Sequence, residues 1–325
     1  MYDLIIIGGG PAGTAAGVYA ARKRLKTLFL TESFGGQSNV SADIQNWIGT
    51  VSISGDDLGK AFRKHLEAYA GDVVTLVEKK VESLLKNESG KGYTVKTGDG
   101  EIYESEAVLV ATGSVRRKLQ VPGAEEFENK GITYCASCDG PLFGGRDVVV
   151  IGGGNAAFET AAQLLEYAKS VTLVHHSAEF RADAITVAKV LAHPNMKAIK
   201  NAETTEVRGE KFVNALMYKD KTTGEEKEIK TEGVFVEIGL IPSTSFVEGV
   251  LELTPYKQIV VDPRTQRTSA EGVWAAGDCT DVRYHQNNIA AGDGVKALED
   301  IYLYLRADAG KTPIISEEKE QQAVF

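Results

Sequence analysis

The 325-residue sequence holds three cysteines, two tryptophans and eight prolines. Three cysteines do not make the even, closely spaced framework of a small secreted scaffold, and their scarcity points to a reducing, cytoplasmic compartment. No apolar run approaches the roughly 18 residues of a membrane-spanning helix. The strand-like run Asp3-Leu4-Ile5-Ile6-Ile7 follows the first two residues at once, so a basic leader with a cleavage site is not expected. Positive charge is in deficit: 36 Lys and Arg against 45 Asp and Glu leave a formal −9, which disfavours a nucleic-acid partner. What is present is ordinary globular material, 43% hydrophobic and 25% charged, in a chain long enough for two domains. Glycine is plentiful at 34 residues, which suggests tight turns or phosphate-binding loops.

The glycines are organised by an internal repeat. Leu4–Ile7 breaks into Gly8-Gly9-Gly10-Pro11-Ala12-Gly13, then an Ala-rich helical pattern runs from Thr14 to about Arg24, then comes the apolar run Thr27–Leu30. Val148–Ile151 breaks into Gly152-Gly153-Gly154-Asn155-Ala156-Ala157, followed by a helical pattern from Phe158 to Tyr167 and the run Val171–Val174. Gly152 repeats Gly8 at an offset of 144 residues. Further apolar runs end at Ala111-Thr112-Gly113, at Glu237-Ile238-Gly239 and at Ala276-Gly277-Asp278, and read as buried parallel strands. Alternating stretches such as Tyr93–Thr97 and Phe212–Tyr218 read as antiparallel additions. The pattern predicts an α/β chain with an outer domain over 1–113 and 246–325 and an inserted domain over 118–242. The crossings fall near 114–117 and 243–245. The polar segment after Ile315 reads as a frayed end.

Each glycine loop has the residues a dinucleotide needs. Gly8 permits the tight turn, Gly10 lets the backbone approach a pyrophosphate, and Gly13 allows close helix–strand packing. The helix N-terminus then faces the phosphates with its free N–H groups. Glu32, 19 residues beyond Gly13, is placed to accept hydrogen bonds from a ribose. In the second loop Gly152, Gly154 and Ala157 form the G-x-G-x-x-A variant. Two such units suggest two dinucleotides, a resident flavin and a nicotinamide that comes and goes; the alternative is one nucleotide beside a degenerate, structural repeat. After the second strand stand His175, His176 and Ser177, with Arg181 further on, so neither the acid that favours a 2′-hydroxyl nor an arginine pair for a 2′-phosphate is present. The adjacent histidines at a strand end are expected on opposite sides, which argues against a metal.

Cys135 and Cys138 frame a C-x-x-C followed by Asp139 and Gly140. Zinc would need four ligands, and Cys279 is the single remaining cysteine. A redox pair is the stronger reading, since C-x-x-C spacing lowers a thiolate pKa and makes the disulfide reducible. Asp139 is placed to exchange a proton with a departing thiolate, or serves as a turn residue before Gly140. Cys279 reads as packing.

Taken in order, these motifs resemble the low-molecular-weight thioredoxin reductase family of FAD disulfide reductases. The resemblance runs from the first glycine loop through Gly35-Gly36-Gln37, Ala111-Thr112-Gly113, the CxxCDG and the second loop to Ala276-Gly277-Asp278 and the Q-x-x-x-A-x-G-x-G stretch at Gln286. It implies two Rossmann-like domains of three-layer ββα type, the FAD domain discontinuous and the NAD(P)H domain inserted in it. It carries flavin contacts to Gly8, Gly10, Pro11, Ala12, Gly13, Glu32, Gly36, Gln37, Asn46, Thr112, Gly113, Gly277, Asp278, Gln286, Asn287 and Ile289. Nicotinamide-nucleotide positions fall on Gly152, Gly154, Asn155, Ala156, Ala157, Glu159, His175, His176, Ser177 and Arg181. Cys138 corresponds to the flavin-side cysteine and Cys135 to the one that attacks the protein substrate. A thioredoxin-like partner and a homodimer are likewise implied.

Two departures bear on this. NADPH-using members carry H-R-R-x-x-x-R where this chain has His175-His176-Ser177 and Arg181, which moves the expectation to NADH or dual use. His285 stands where the family has Arg or Lys before the glutamine. Asp139–Phe143 and Ala291–Gly294 also look like the flavoprotein component of alkyl hydroperoxide reductase, whose additional N-terminal thioredoxin-like region a chain starting Met1-Tyr2-Asp3 is expected to lack. A glutaredoxin-like or peroxiredoxin-system partner with NADH as donor is the alternative, and a non-catalytic flavin-binding redox sensor is the alternative of another class.

Overall fold

A computed structural model describes residues 1–41, 44–87 and 90–308, so the expected frayed end after Ile315 lies outside the described residues. The described residues form two compact units. One holds Met1–Asn39, Asp56–Val115 and the chain from Pro242 onward; the other holds Val40–Gly55 and Arg116–Ile241.

The first unit opens with β1 (Tyr2–Gly9), α1 (Pro11–Arg22) and β2 (Thr27–Phe34), followed by α2 (Gly55–Ala70), β3 (Val74–Glu78), β4 (Val81–Lys86), β5 (Tyr93–Thr97) and β6 (Ile102–Val110). β1 is central and parallel to both β2 and β6, with Leu4 opposite Thr27 and Ile7 opposite Val110. Both faces of this sheet are covered, and so Leu4, Ile5, Ile6 and Val108 through Val110 are continuous apolar runs with almost no exposure. α1 begins at Pro11, three residues before the expected Thr14, because Gly10 is its extended N-cap and Pro11 supplies a preset φ at the first helical position. β5 and β4 add antiparallel strands at one edge.

The chain then crosses through β7 (Ser114–Arg116) into the second unit: β8 (Ile132–Thr133), α3 (Ala136–Asp139), β9 (Asp147–Ile151), α4 (Asn155–Leu164), β10 (Ser170–Val174), α5 (Ala184–Leu191) and β11 (Met196–Ile199). An antiparallel meander follows, β12 (Ala202–Gly209), β13 (Val213–Asp220) and β14 (Glu226–Lys230), before β15 (Gly233–Val236) returns to the main sheet. That sheet is parallel in the order β11-β10-β9-β15-β8. One face packs Val149, Ile151 and Val234 against the meander residues Val207, Val213 and Leu216. The other packs Val148, Val150 and Phe235 against Phe158, Ala161 and Leu164 of α4. The result is three layers, meander, sheet and helices. α4 again starts three residues early, at Asn155, behind an extended Gly154 cap.

β16 (Leu240–Pro242) pairs with β7 at the second crossing. β17 (Val273–Ala275) then joins β6, and α6 (Asn287–Asp308) lies on α1. A Cβ on Gly294 of α6 would stand 2.1 Å from the Ala12 carbonyl oxygen, so glycine lets the two helices touch backbone to backbone. No helix among the described residues is long and apolar enough to cross a membrane.

Candidate dinucleotide and dithiol sites

The first glycine loop turns tightly because its glycines leave no alternative. Gly8 has φ +119°, and a Cβ there would lie 2.2 Å from the Ala111 carbonyl oxygen; one on Gly13 would lie 1.8 Å from the Gly8 carbonyl oxygen. Gly10 differs, since a Cβ there meets no described atom within 4 Å. Open space thus lies over the N-terminus of α1, where glycine brings no side-chain cap and the first N–H groups remain for a ligand.

Other predicted residues gather at this loop. Gly36 approaches so closely that its Cβ would be 3.4 Å from Gly10 Cα, and Gly35 N–H donates to Gly9 O at 2.9 Å. Gln37 follows in the same turn, and Ser38 Oγ donates to Asn287 Oδ1 at 3.1 Å, tying the turn to the start of α6. Gly277, at the left-handed φ of +76°, lies so close to Ala12 and Ala290 that a Cβ would stand 3.3 and 3.2 Å from theirs. Asp278 Oδ1 lies 3.4 Å from His285 Nδ1, and Gln286 O accepts from Ala290 N–H at 2.9 Å, beside the half-exposed Ile289. Thr112 and Gly113 close the strand end through hydrogen bonds with Ser243. Glu32 is exposed near the end of β2. Asn46 lies in the stretch that groups with the second unit.

The second loop repeats the arrangement. Gly152 sits at φ +152° with a virtual Cβ 2.4 Å from the Glu237 carbonyl oxygen and 2.9 Å from Ala157 Cβ, while Gly154 faces open space among the described atoms. Asn155 Oδ1 accepts from Asp183 N–H at 2.9 Å and Gly153 O accepts from Arg181 N–H at 2.7 Å, which brings Arg181 to the loop. Ala156 and Glu159 are exposed on α4. His175 and His176 have different surroundings, His175 against Gly153 and Phe180 and His176 at a cavity wall beside Ile151 and Val174. Their rings nonetheless meet edge to face at 4.8 Å, while the His175 backbone stays bonded to Ile199 O and Ala202 N–H. His175 is buried over Gly153, accounting for the absence of any side chain at that position, and burial lowers its pKa, so it stays neutral at neutral pH. His176 is exposed, Ser177 half-buried. A cavity of about 170 Å³ opens here, with Ile151, Gly152, Val174, His176, Glu203 and Ile238 among its walls. No cluster of three or more His, Cys, Asp or Glu side chains able to hold a metal forms among the described residues.

Cys135 and Cys138, both half-buried, form a disulfide with Cα atoms 5.3 Å apart. Cys135 caps α3, its Sγ accepting from Cys138 N–H at 3.2 Å. Thr133 Oγ1 donates to Asp139 Oδ2, fixing the carboxylate that follows the pair. Cys279 is fully buried, and burial pushes its thiol up to about 11.

A family model for pyridine nucleotide-disulphide oxidoreductases matches residues 2–294. The chain belongs to this family. An NADH dehydrogenase of Bacillus subtilis is 39% identical over 304 residues, 94% of this chain and 58% of that protein. An alkyl hydroperoxide reductase component of Pseudomonas putida is 42% identical over 298 residues, 91% of this chain and 56% of that protein. The chain therefore spans less than three fifths of these curated relatives. A solved thioredoxin reductase from Streptococcus pyogenes superposes with a TM-score of 0.86 at 34% identity, covering 94% of this chain and 99% of that one. This pyridine nucleotide-disulphide oxidoreductase thus has the low-molecular-weight thioredoxin reductase architecture.

FAD and NAD(P)H are the cofactors of the family, and both loops fit a dinucleotide. At Gly10 and Gly154 a side chain would fill space that the fold leaves open beside a helix N-terminus. The residues that sequence reasoning passed over surround the second loop. Glu237 is a buried carboxylate whose Oε1 accepts from Thr160 Oγ1 at 2.9 Å, with Arg116 3.8 Å away. Its signal was the echo itself, because Glu237 occupies the place that Ala111 has in the first repeat.

Proposed function

We propose that the chain is an NAD(P)H-dependent flavin disulfide reductase of thioredoxin reductase type that delivers electrons to a small protein disulfide. The observation that carries this is the half-buried Cys135–Cys138 disulfide in the same unit as a dinucleotide loop. When bound, FAD and the reduced nicotinamide supply hydride and electron transfer. The first unit is the flavin domain and the second the nicotinamide domain.

The cysteines act as follows. Two electrons and two protons convert the Cys135–Cys138 disulfide to a dithiol, with Cys138 on the flavin side. The Cys135 thiolate, stabilised by the Cys138 N–H, attacks the partner disulfide and expels one partner thiolate, forming a mixed disulfide. Cys138 then attacks Cys135 Sγ, re-forming the internal disulfide and releasing the partner as a dithiol. Asp139, held in place by Thr133, exchanges the proton of Cys138. The pair must meet both a flavin and a protein, and the nicotinamide needs the flavin as well. Rotation of the second unit about its two crossings resolves that competition.

The donor is NADH, or NADH and NADPH alike. His175 is neutral and buried, and Arg181 is the one guanidinium among the positions expected to meet a 2′-phosphate. The likeness to longer proteins named as alkyl hydroperoxide reductase components favours a second reading, in which the partner belongs to a peroxiredoxin system rather than being a thioredoxin. A homodimer in the cytoplasm is the setting that the thioredoxin reductase likeness supports. The test is Cys138→Ser assayed with thioredoxin-like and peroxiredoxin-like acceptors: flavin reduction persists and protein disulfide reduction stops. A Cys138→Ser variant that still reduces either acceptor overturns the proposal.

A further inference from the structure

Glu237 is a buried titratable group that the proposed electron path leaves unused. The two repeats place their strand ends against their glycine loops in the same way, Ala111 O on Gly8 and Glu237 O on Gly152. Where the first repeat carries a methyl group, the second carries a carboxyl. That carboxyl is 11% exposed, bonded to Thr160 Oγ1 at 2.9 Å and 3.8 Å from the Arg116 guanidinium. Burial pushes its pKa above the usual carboxylate range; Glu159 adds to the rise, while Arg116 and Thr160 oppose it. These are the charged groups and the polar partner that face it.

The sheet order tells which half of a dinucleotide reaches this end. The 144-residue offset puts His176, after β10, in the place of Glu32, the position that meets the adenosine ribose. β15 lies on the opposite side of the central β9, and β8 beyond it leads to Cys135 and Cys138. The nicotinamide half therefore extends toward β15. A nicotinamide ring is neutral when reduced and carries a positive charge once hydride has left. A carboxylate in low-dielectric surroundings favours the charged form.

We infer that Glu237 is a specificity-determining residue that distinguishes oxidised from reduced nicotinamide, its carboxylate holding the cationic ring more tightly than the neutral one. The inference rests on the nicotinamide site proposed above. It makes the preference appear as pH rises and the carboxyl ionises, and by reciprocity NAD⁺ draws the proton off Glu237.

The test is the ratio of affinities for NAD⁺ and for 1,4,5,6-tetrahydro-NAD, a neutral-ring analogue with no hydride to give, measured calorimetrically on the FAD-bound protein across pH. In the native protein NAD⁺ binding strengthens about tenfold relative to the analogue as pH rises, the size of one pKa unit of charge interaction. Glu237→Gln removes that step and leaves analogue binding unchanged. Arg116→Gln moves the step to higher pH, because the cation that favours ionisation is gone. A flat ratio in the native protein, or an undiminished step in Glu237→Gln, overturns the inference alone. Failure of both nucleotides to bind sinks the nicotinamide site and this inference with it.

Discussion

Gly10 and Gly13 stand three residues apart, yet alanine at each should fail for a different reason. Gly10 has φ −76° and ψ −174°, extended backbone open to any residue, and its Cβ would meet no described atom within 4 Å. Gly10→Ala should therefore change the stability of the flavin-free protein by no more than about 0.5 kcal/mol. The added methyl fills the space left for the pyrophosphate, and each charge-assisted hydrogen bond lost there costs roughly 1.5–3 kcal/mol. FAD should bind about 10- to 100-fold more weakly. Gly13→Ala instead drives a Cβ to 1.8 Å from the Gly8 carbonyl oxygen, and Gly8 has no retreat, being pressed on Ala111. Relieving that overlap moves backbone and should destabilise the fold by about 1–3 kcal/mol or more. Thermal unfolding of the flavin-stripped variants by circular dichroism measures the first quantity, and titration with FAD followed by flavin fluorescence measures the second. A Gly10→Ala protein that binds FAD like the native one, or melts as low as Gly13→Ala, refutes the reasoning.

Further outcomes follow from the same geometry. Asp139→Asn should slow protein disulfide reduction about 100-fold while flavin reduction by NADH keeps its rate, read by stopped-flow absorbance. Since burial raises the Glu237 pKa, the folded protein keeps a proton that the unfolded chain releases. The stability so gained is full below the ordinary glutamate value and is lost as pH rises through the raised one. The melting temperature of Glu237→Gln should accordingly gain on the native protein as pH increases; a constant difference speaks against it. An engineered cross-link locking the two units should leave FAD bound and stop turnover, and full turnover in the locked protein removes the need for rotation.

Much of the architecture was legible because burial on both sides of a parallel sheet writes itself as unbroken apolar runs: Leu4–Ile7, Val148–Ile151 and Gly233–Val236 each mark a central strand. Helix starts were less legible. Gly10 and Gly154 read as turn residues, whereas as N-caps they let the helices begin at Pro11 and Asn155. Strand alternation sets His175 and His176 apart, and their surroundings do differ, but the edge-to-face contact of their rings is a tertiary detail that alternation does not give. The grouping of Val40–Gly55 with the second unit has no counterpart in composition or periodicity, because it depends on contacts distant in sequence. Glu237 was in view as part of a repeated strand end, but its burial and its Thr160 and Arg116 partners are tertiary facts that no spacing encodes.

The proposed electron path runs from the nicotinamide through Cys135 and Cys138. Thiol titration of the FAD-bound native chain after anaerobic addition of NADH tests it most directly. Cys279 stays silent in the folded protein, since it is fully buried and its thiol is pushed up to about 11. One new pair of reactive thiols per chain is expected, with no such pair in Cys138→Ser. Bleaching of the flavin with no new thiols in the native protein would contradict it.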